Sequence, residues 1–190
     1  MTLAVVLIVA YLLGSIPTSY IVVYRLTGRD IRTMGTGNPG TMNVVDTVGL
    51  RAGIVVGLGD ICKGMAAVGI AYLAGLDDRD AVLAGMCAVA GHDWSIFLRL
   101  DGGNGMAAAV GALIALLPIE AMFAVPTAIA LYAFGMSRRL AGIIGLLMVP
   151  TLAYTFEAPE MKLIGAVLLL TFTVVKIFRF EGLSPARPGR

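Results

Sequence analysis

Residues 3–23 read LAVVLIVAYLLGSIPTSYIVV, without one charged side chain before Arg25. A helix needs about 20 predominantly apolar residues to cross a bilayer, and this stretch supplies them. No Lys or Arg precedes the apolar run, and a cleavable leader requires a basic start. The segment therefore reads as a retained first span. The remainder of the chain has the same character. Of 190 residues, 58% are hydrophobic and only 14% are charged, with a mean hydropathy of +0.91. A soluble domain is about 45–50% apolar and about 25% charged. A soluble enzyme and a disordered interaction chain are both excluded, and the chain is expected to be an integral membrane protein.

Working outward, six further apolar stretches follow at 52–74, 81–98, 105–117, 121–135, 139–156 and 161–178. Pro118 and Glu120 divide what would otherwise be one overlong run. The fold class is thus all-α, a polytopic membrane protein with seven transmembrane helices. Lys and Arg concentrate on the cytoplasmic side of membrane proteins, which gives an independent test. Arg25, Arg29, Arg32, Arg51, Arg99, Arg138, Arg139, Lys176, Arg179, Arg187 and Arg190 all fall on one face. The other holds only Arg79 and Lys162, against Asp77, Asp78, Asp80, Glu120, Glu157 and Glu160. The N-terminus is expected outside and the C-terminus in the cytoplasm. No repeat or soluble module interrupts the chain, so residues 1–190 form a single membrane-embedded domain.

A net charge of +2 without a basic run points away from nucleic acid. Cys62 and Cys87 lie inside apolar stretches and read as small core residues. His92 is the one histidine, too few for a histidine metal centre.

Two glycine-rich stretches carry the chemistry. Gly35-Thr36-Gly37-Asn38-Pro39-Gly40-Thr41-Met42-Asn43 packs glycines, hydroxyls and amides into the cytoplasmic connection 24–51. Asp101-Gly102-Gly103-Asn104-Gly105 directly precedes the fourth span. Glycine allows close backbone approach, so successive N–H groups can converge on an anion. The second stretch also lies at a helix N-terminus, where phosphate is favoured. Both fall on the cytoplasmic face and can form one site; the plainer reading is that they only turn the chain. Neither matches the nucleotide phosphate loop. Asp60 and Lys63 lie three residues apart on one face inside the second span. Such buried charges face a protein interior or a wet cavity, and a structural ion pair is the simpler reading. His92 follows Gly91 near the end of the third span, where an interfacial hydrogen bond would satisfy it.

These residues resemble the acyl-phosphate:glycerol-3-phosphate acyltransferases of bacteria, the PlsY family, from Gly14 to about Gly182. The resemblance rests on Gly14-Ser15-Ile16-Pro17, Asp30-Ile31-Arg32, Gly37-Asn38, Asn43-Val44, Asp60 with Lys63-Gly64, Gly91-His92, Phe97-Leu98, and Gly102-Gly103 with Gly105. It implies a seven-span inner-membrane enzyme with a cytoplasmic-facing site. The implied reaction moves an acyl group from acyl phosphate to the 1-hydroxyl of glycerol 3-phosphate. The product is lysophosphatidic acid, made without acyl-CoA, cofactor or metal. The implied positioning residues are Thr36, Asn38, Asn43 and His92. Gly35, Gly37, Gly40, Gly102, Gly103, Asn104, Gly105, Arg139 and Lys176 would bind substrate, and the acyl chain would lie between spans.

Several positions depart from the family pattern. Thr36 replaces a Ser and keeps the hydroxyl. Asp46 stands where the family carries a phosphate-binding Arg, and Asn104 where it carries Lys. A Ser-Leu-Ala-Ser motif becomes Arg139-Leu140-Ala141-Gly142, and the final His and Asn are missing around 176–180. Two lost cationic donors correspond to about 3–6 kcal/mol of phosphate binding. Arg139 and Lys176 are new cations in motifs of the same site, so the positive charge is expected to have moved within it. Three readings follow: the acyltransferase, with the same or a changed acceptor; a relative that binds lipid or phosphate without turnover; and a small transporter.

Overall fold

The computed structural model describes residues 2–183; within that range the side chains of Arg138, Arg139 and residues 177–183 lie outside the description. The helices are α1 (Leu3–Ser15), α2 (Thr18–Thr27), α3 (Thr41–Thr47), α4 (Leu50–Leu73), α5 (Asp78–Asp93), α6 (Met106–Leu116), α7 (Pro118–Ala133), α8 (Arg138–Thr155) and α9 (Glu160–Leu183). Single 3-10 turns occupy Ile31–Thr33 and Ile96–Leu98. The described residues are helical, with no strand.

Every apolar stretch is found as helix, with one correction. The first is not continuous: it breaks at Ile16–Pro17, between α1 and α2. Proline has no N–H to donate and drives the preceding residue out of the helical region. Ile16 accordingly takes φ −53° and ψ 117°. Gly28 then closes α2 in the left-handed conformation, at φ 69°. Pro118 does not lie outside a helix either. It is the first residue of α7, where its missing N–H has no role, and Glu120 falls in the same first turn.

Three segments, Leu3–Thr27, Leu50–Leu73 and Asp78–Leu98, are long and apolar enough to cross a membrane. Helix α6 has 11 residues, which is about 16 Å against a hydrocarbon core of about 30 Å. Large apolar side chains such as Ile8, Leu58, Met122 and Ile129 point outward, as lipid-facing residues do.

Close helix contact is built on glycine, as is usual where lipid leaves no hydrophobic force between helices. Gly14 of α1 rests against the Ala88 carbonyl of α5, and Gly91 of α5 against the Tyr11 carbonyl of α1. Gly64 of α4 meets Ala108 of α6, and Gly111 of α6 meets Ile61 of α4. A Cβ at any of the four would overlap the facing backbone. Alanines 67, 84, 88, 108, 109 and 112 fill the core between these helices. A second, smaller core of Val23, Ile31, Val44, Ala52 and Val56 supports the polar connection between α2 and α4.

Candidate active site

The stripe of α4 formed by Gly53, Gly57, Asp60 and Gly64 organises the polar end of the bundle. Spacings of three and four residues place these positions on one helical face. Val45 of α3 packs on Gly53, Thr41 on Gly57, and Ala108 of α6 on Gly64. Asp60, between them, faces His92 of α5, with Oδ1 3.6 Å from the imidazole Nδ1. Both glycine stretches are therefore hung on the same helix.

The first stretch is held by Asn43, which is 4% exposed. Its Nδ2 donates to the carbonyls of Met34 at 2.9 Å and Asn38 at 3.0 Å, and its Oδ1 accepts from Thr36 N at 3.0 Å. Both ends of the amide are committed to the backbone of its own loop, so Asn43 shapes the loop. Gly35 and Gly37 turn it at φ 52° and 75°. Ser19 of α2 clips it from below, donating to the Pro39 carbonyl at 2.6 Å. Gly37 N is used by the Met34 carbonyl, and Asn38 N by the Thr36 hydroxyl. Thr36 is exposed. The side-chain oxygens of Asn38 and Thr41 are buried and without a hydrogen-bond partner. Gly40 ends the loop as the N-cap of α3, whose exposed outer face carries Asp46.

The second stretch is held from outside itself. Gly102 N donates to the Asp93 carbonyl at 3.2 Å and Gly103 N to the His92 carbonyl at 3.1 Å. This corrects the expectation that these two amides point at an anion. The last carbonyls of α5 have no intrahelical acceptor role to fill, and the glycine amides are the donors within reach. A Cβ at Gly102 would overlap the His92 carbonyl, and one at Gly103 would overlap His92 Nε2. Gly105, at φ 68°, caps α6 and lies over the Asp93 carboxylate. The first-turn amides of α6 that follow it remain open in the sense that no helical carbonyl precedes them. Asn104 Oδ1 is buried without a partner, like those of Asn38 and Thr41.

His92 is not interfacial. It is 7% exposed and wedged between Asp60 and Gly103, because the paired glycines of α1 and α5 draw this end of α5 inward. Lys63 Nζ lies 2.9 Å from Asp60 Oδ1, so the expected ion pair is present. Lys63 also donates to the Ile16 carbonyl at 3.1 Å, a group exposed by the helix break. Two further braces cross that break: Tyr11 OH donates to the Trp94 carbonyl at 2.7 Å, and Ser95 Oγ to the Ser15 carbonyl.

Arg32 joins the two regions. Its guanidinium forks onto the Asp30 carboxylate, with Nη2–Oδ2 at 2.7 Å, and Nη1 donates to the Leu98 carbonyl at 3.2 Å, three residues before Asp101. The Arg32 hydrogen bond holds the Asp30 carboxyl below its usual range, and Asp30 in turn raises Arg32, with Asp101 adding to the effect.

Lys176 of α9 reaches the second loop. Its Nζ donates to the Asp93 carbonyl, the same acceptor used by Gly102, at 3.4 Å, and lies 4.5 Å from the centre of the Trp94 ring. The side chain of Arg139 lies outside the described residues. Sequence reasoning passes over Asp93, which is fully buried with neither carboxylate oxygen hydrogen-bonded. An acidic residue beside His92 at the end of an apolar run was the available signal. Among the described residues no cluster of potential ligands could hold a metal ion.

Beyond Met106, the residue after Gly105, an apolar cavity of about 140 Å³ runs between α6, α7 and α8. Val110, Leu113, Ala124, Gly142, Gly145 and Val149 are among its walls. A Cβ at Gly142 would stand 3.5 Å from Met106 Sδ, so this glycine leaves room at the polar end of the cavity.

Known proteins share this architecture. A family model described as glycerol-3-phosphate acyltransferase matches residues 4–182. The glycerol-3-phosphate acyltransferase of Clostridioides difficile (strain 630) is 42% identical over 147 residues, covering 75% of this chain and 72% of that protein. That of Geotalea daltonii (strain DSM 22248 / JCM 15807 / FRC-32) is 36% identical over 181 residues, covering 93% and 91%. The crystal structure of PlsY, an integral membrane glycerol 3-phosphate acyltransferase, superposes in its glycerol 3-phosphate form with a TM-score of 0.86. Identity is 27%, and the match covers 95% of this chain and 90% of that one. Its lysophosphatidic acid form gives 0.84 at 26% identity.

Proposed function

We infer the chemistry from the premise that the chain belongs to the glycerol-3-phosphate acyltransferase family. It is an integral membrane acyltransferase that acylates glycerol 3-phosphate in phospholipid synthesis. The transporter and the binding-without-turnover readings are set aside on this ground. The finer reading is that the acyl donor is acyl phosphate and the acceptor the 1-hydroxyl. Carbon–oxygen bond formation at the acyl carbonyl displaces inorganic phosphate, which takes up the proton of the hydroxyl, and lysophosphatidic acid remains in the bilayer. The enzyme works as one domain, residues 1–190, in the bacterial inner membrane. Seven spans, with the N-terminus outside and the C-terminus cytoplasmic, agree best with the distribution of Lys and Arg.

One observation carries the site: the second loop, with an unpartnered oxygen on Asn104, leads through Gly105 and Met106 into an apolar slot, and the first loop, with unpartnered oxygens on Asn38 and Thr41, packs on the same helix α4. A lipid substrate with an anionic head needs such a junction. Thr36, Asn38 and the open amides around Gly35, Gly40, Asn104 and Gly105 contact the phosphates. Asn43, Gly37, Gly102, Gly103 and His92 keep the two loops in shape. Lys176 supplies beside the second loop the charge that Asn104 lacks, and Arg139 is assigned to the same pocket. The acyl chain enters between α6, α7 and α8, in a cavity of a size known to take up small hydrocarbons. Side-chain nucleophiles are not required, because catalysis follows from proximity and electrostatic preorganisation.

The test is direct. Purified protein in lipid is given a long-chain acyl phosphate and glycerol 3-phosphate, and lysophosphatidic acid is measured, with other polyol phosphates in parallel. Turnover with acyl phosphate and none with acyl-CoA supports the reading. The reverse preference would overturn it. Gly142→Leu should lower turnover with long and medium chain donors alike, since it fills the polar end of the slot, where every chain enters.

A further inference from the structure

The Asp60–Lys63 pair is a puzzle if it only stabilises the bundle. Burial of two charges is costly, and well-packed apolar residues of similar volume commonly do as well or better. Lys63 is 7% exposed and Asp60 1%. The contacts of the pair are unusual for a structural tie, since they do not join two helices at one point. Lys63 holds the Ile16 carbonyl, at the break between α1 and α2, at 3.1 Å. Asp60 faces the Nδ1 side of His92 at 3.6 Å. The opposite edge of that ring, Nε2, bears on Gly103, whose N–H is bonded to the carbonyl of the same histidine. On α4 itself, Asp60 is one turn from Gly57, which carries Thr41 of the first loop. That separation is about 4.5 Å along the axis, and Gly64, which carries the start of α6, is about 6 Å the other way.

We propose that Asp60 and Lys63 are positioning residues for acyl transfer: the pair fixes the His92 imidazole, and through it sets the Gly102–Gly103 loop in register with the first loop. The inference rests on the acyltransferase reading of the two loops. Neither residue touches the substrate. Lys63 anchors the carboxylate to the break between α1 and α2, the carboxylate orients the ring by charge across 3.6 Å, and the ring fills the space that the missing side chain of Gly103 leaves. An imidazole free to rotate would let the second loop slide against α5. A misplacement of about 1 Å in the reacting groups lowers a rate by about a hundredfold.

The experiment uses the full chain in lipid and two readouts. Removing one charge leaves its partner buried alone, so the informative variant is the double change Asp60→Asn with Lys63→Met, which is neutral and close in volume. Its melting temperature should remain within a few degrees of the parent. Its kcat should fall by about 30- to 100-fold, with KM for glycerol 3-phosphate changing less than about threefold. Amide exchange at residues 102–105 should rise while exchange in the middle of α4 is unchanged. Lys63→Arg, which keeps the charge, should retain activity within about threefold. If the double variant does not fold, Asp60→Glu, which keeps the charge but moves the carboxylate, should show the same loss of kcat and the same local exchange. A folded double variant with parental kcat and unchanged exchange at 102–105 would overturn the proposal. Failure of the parent to make lysophosphatidic acid would instead strike the acyltransferase reading, and the exchange measurement would still decide the positioning role.

Discussion

The two glycine loops reach similar ends by opposite means. The first, residues 34–40, is closed by the helix that follows it in sequence: the buried Asn43 side chain in the first turn of α3 satisfies three of its backbone groups. The second, 101–105, holds no such staple. Its shape is dictated by the buried carbonyls that end α5 without a helical donor and by the ring of His92. A loop stapled by the helix that continues it can tolerate changes in its surroundings, whereas a loop held by a helix of the bundle transmits them. The second loop should therefore be the more sensitive of the two to substitution in its glycines and to motion in the helices beneath it.

The largest expected effect tests that contrast directly. A Cβ at Gly103 would overlap the edge of the His92 ring, so Gly103→Val must displace the ring or the loop, and turnover should drop by about a hundredfold, consistent with misplaced reacting groups. Gly37→Val faces a different obstacle, a φ of 75° with the Arg32 carbonyl 3.1 Å from the new Cβ. Strain of about 1–3 kcal/mol is expected there, with partial activity. Both proteins should insert normally. A Gly37 variant more damaged than the Gly103 variant would reverse the comparison.

Asn43→Ala attacks the staple itself. It leaves the Asn38 carbonyl and the Thr36 amide without partners and the Met34 carbonyl with Gly37 N alone, each orphaned group worth about 1–3 kcal/mol if it stays buried, and partial hydration should reduce the total to about 2–4 kcal/mol. A lower melting temperature with a raised KM is the expected result. Asn43→Asp keeps the acceptor but sets a carboxylate oxygen against the Met34 and Asn38 carbonyls in a buried site, and should be at least as damaging as Ala. An Asp variant more stable than Ala would show that the Thr36 amide, not the two carbonyls, is the bond that matters.

How much of this could be read beforehand differs between the loops too. All seven apolar stretches form helix, the Asp60–Lys63 pair is where helical spacing puts it, and both glycine stretches are loops. These signals are local: apolar run length, i to i+3 spacing, glycine density. The break at Ile16–Pro17 was also written locally, in Pro17, but an uninterrupted apolar run masked it. The fate of the Gly102 and Gly103 amides was not legible, because their acceptors belong to residues 92 and 93 and are offered by a helix end. The commitment of Asn43 to its own loop depends on how tightly 34–38 curls back, which no spacing rule states. Burial of His92 followed from the two glycines, Gly14 and Gly91, that close α1 on α5, a packing effect beyond its own neighbourhood.

Lys176 carries the next smaller effect and asks whether the second loop has borrowed its charge from α9. Lys176→Met should weaken glycerol 3-phosphate binding by about 1.5–3 kcal/mol, or roughly 10- to 100-fold. The difference should shrink at high salt, because a partly exposed charge is screened. The double change Asp46→Arg with Asn104→Lys should then add little in the parent. A silent Lys176→Met together with a large gain from the double change would sink the idea that Lys176 has taken over. The first loop should be indifferent to Lys176→Met, and amide exchange at 35–40 checks this.

The smallest effect concerns the link between the loops. Arg32 holds Asp30 below the ordinary carboxylate range, and it is also the residue that reaches the Leu98 carbonyl. A carboxylate whose pKa is depressed on folding adds stability above its unfolded value, near pH 3.9, and loses it as pH falls through the native value. The contribution is therefore constant at neutral pH and disappears only in acid. The pair is about a quarter exposed on each side, so its worth is that of a partly solvated ion pair, about 0–1 kcal/mol. Asp30→Asn should lower the melting temperature slightly at pH 7, and parent and variant should converge as pH falls through the depressed native value. The same variant frees the Arg32 guanidinium, so activity should change through the second loop more than through the first. A difference in stability that widens on acidification would contradict the sign of the shift and remove Arg32 as the link.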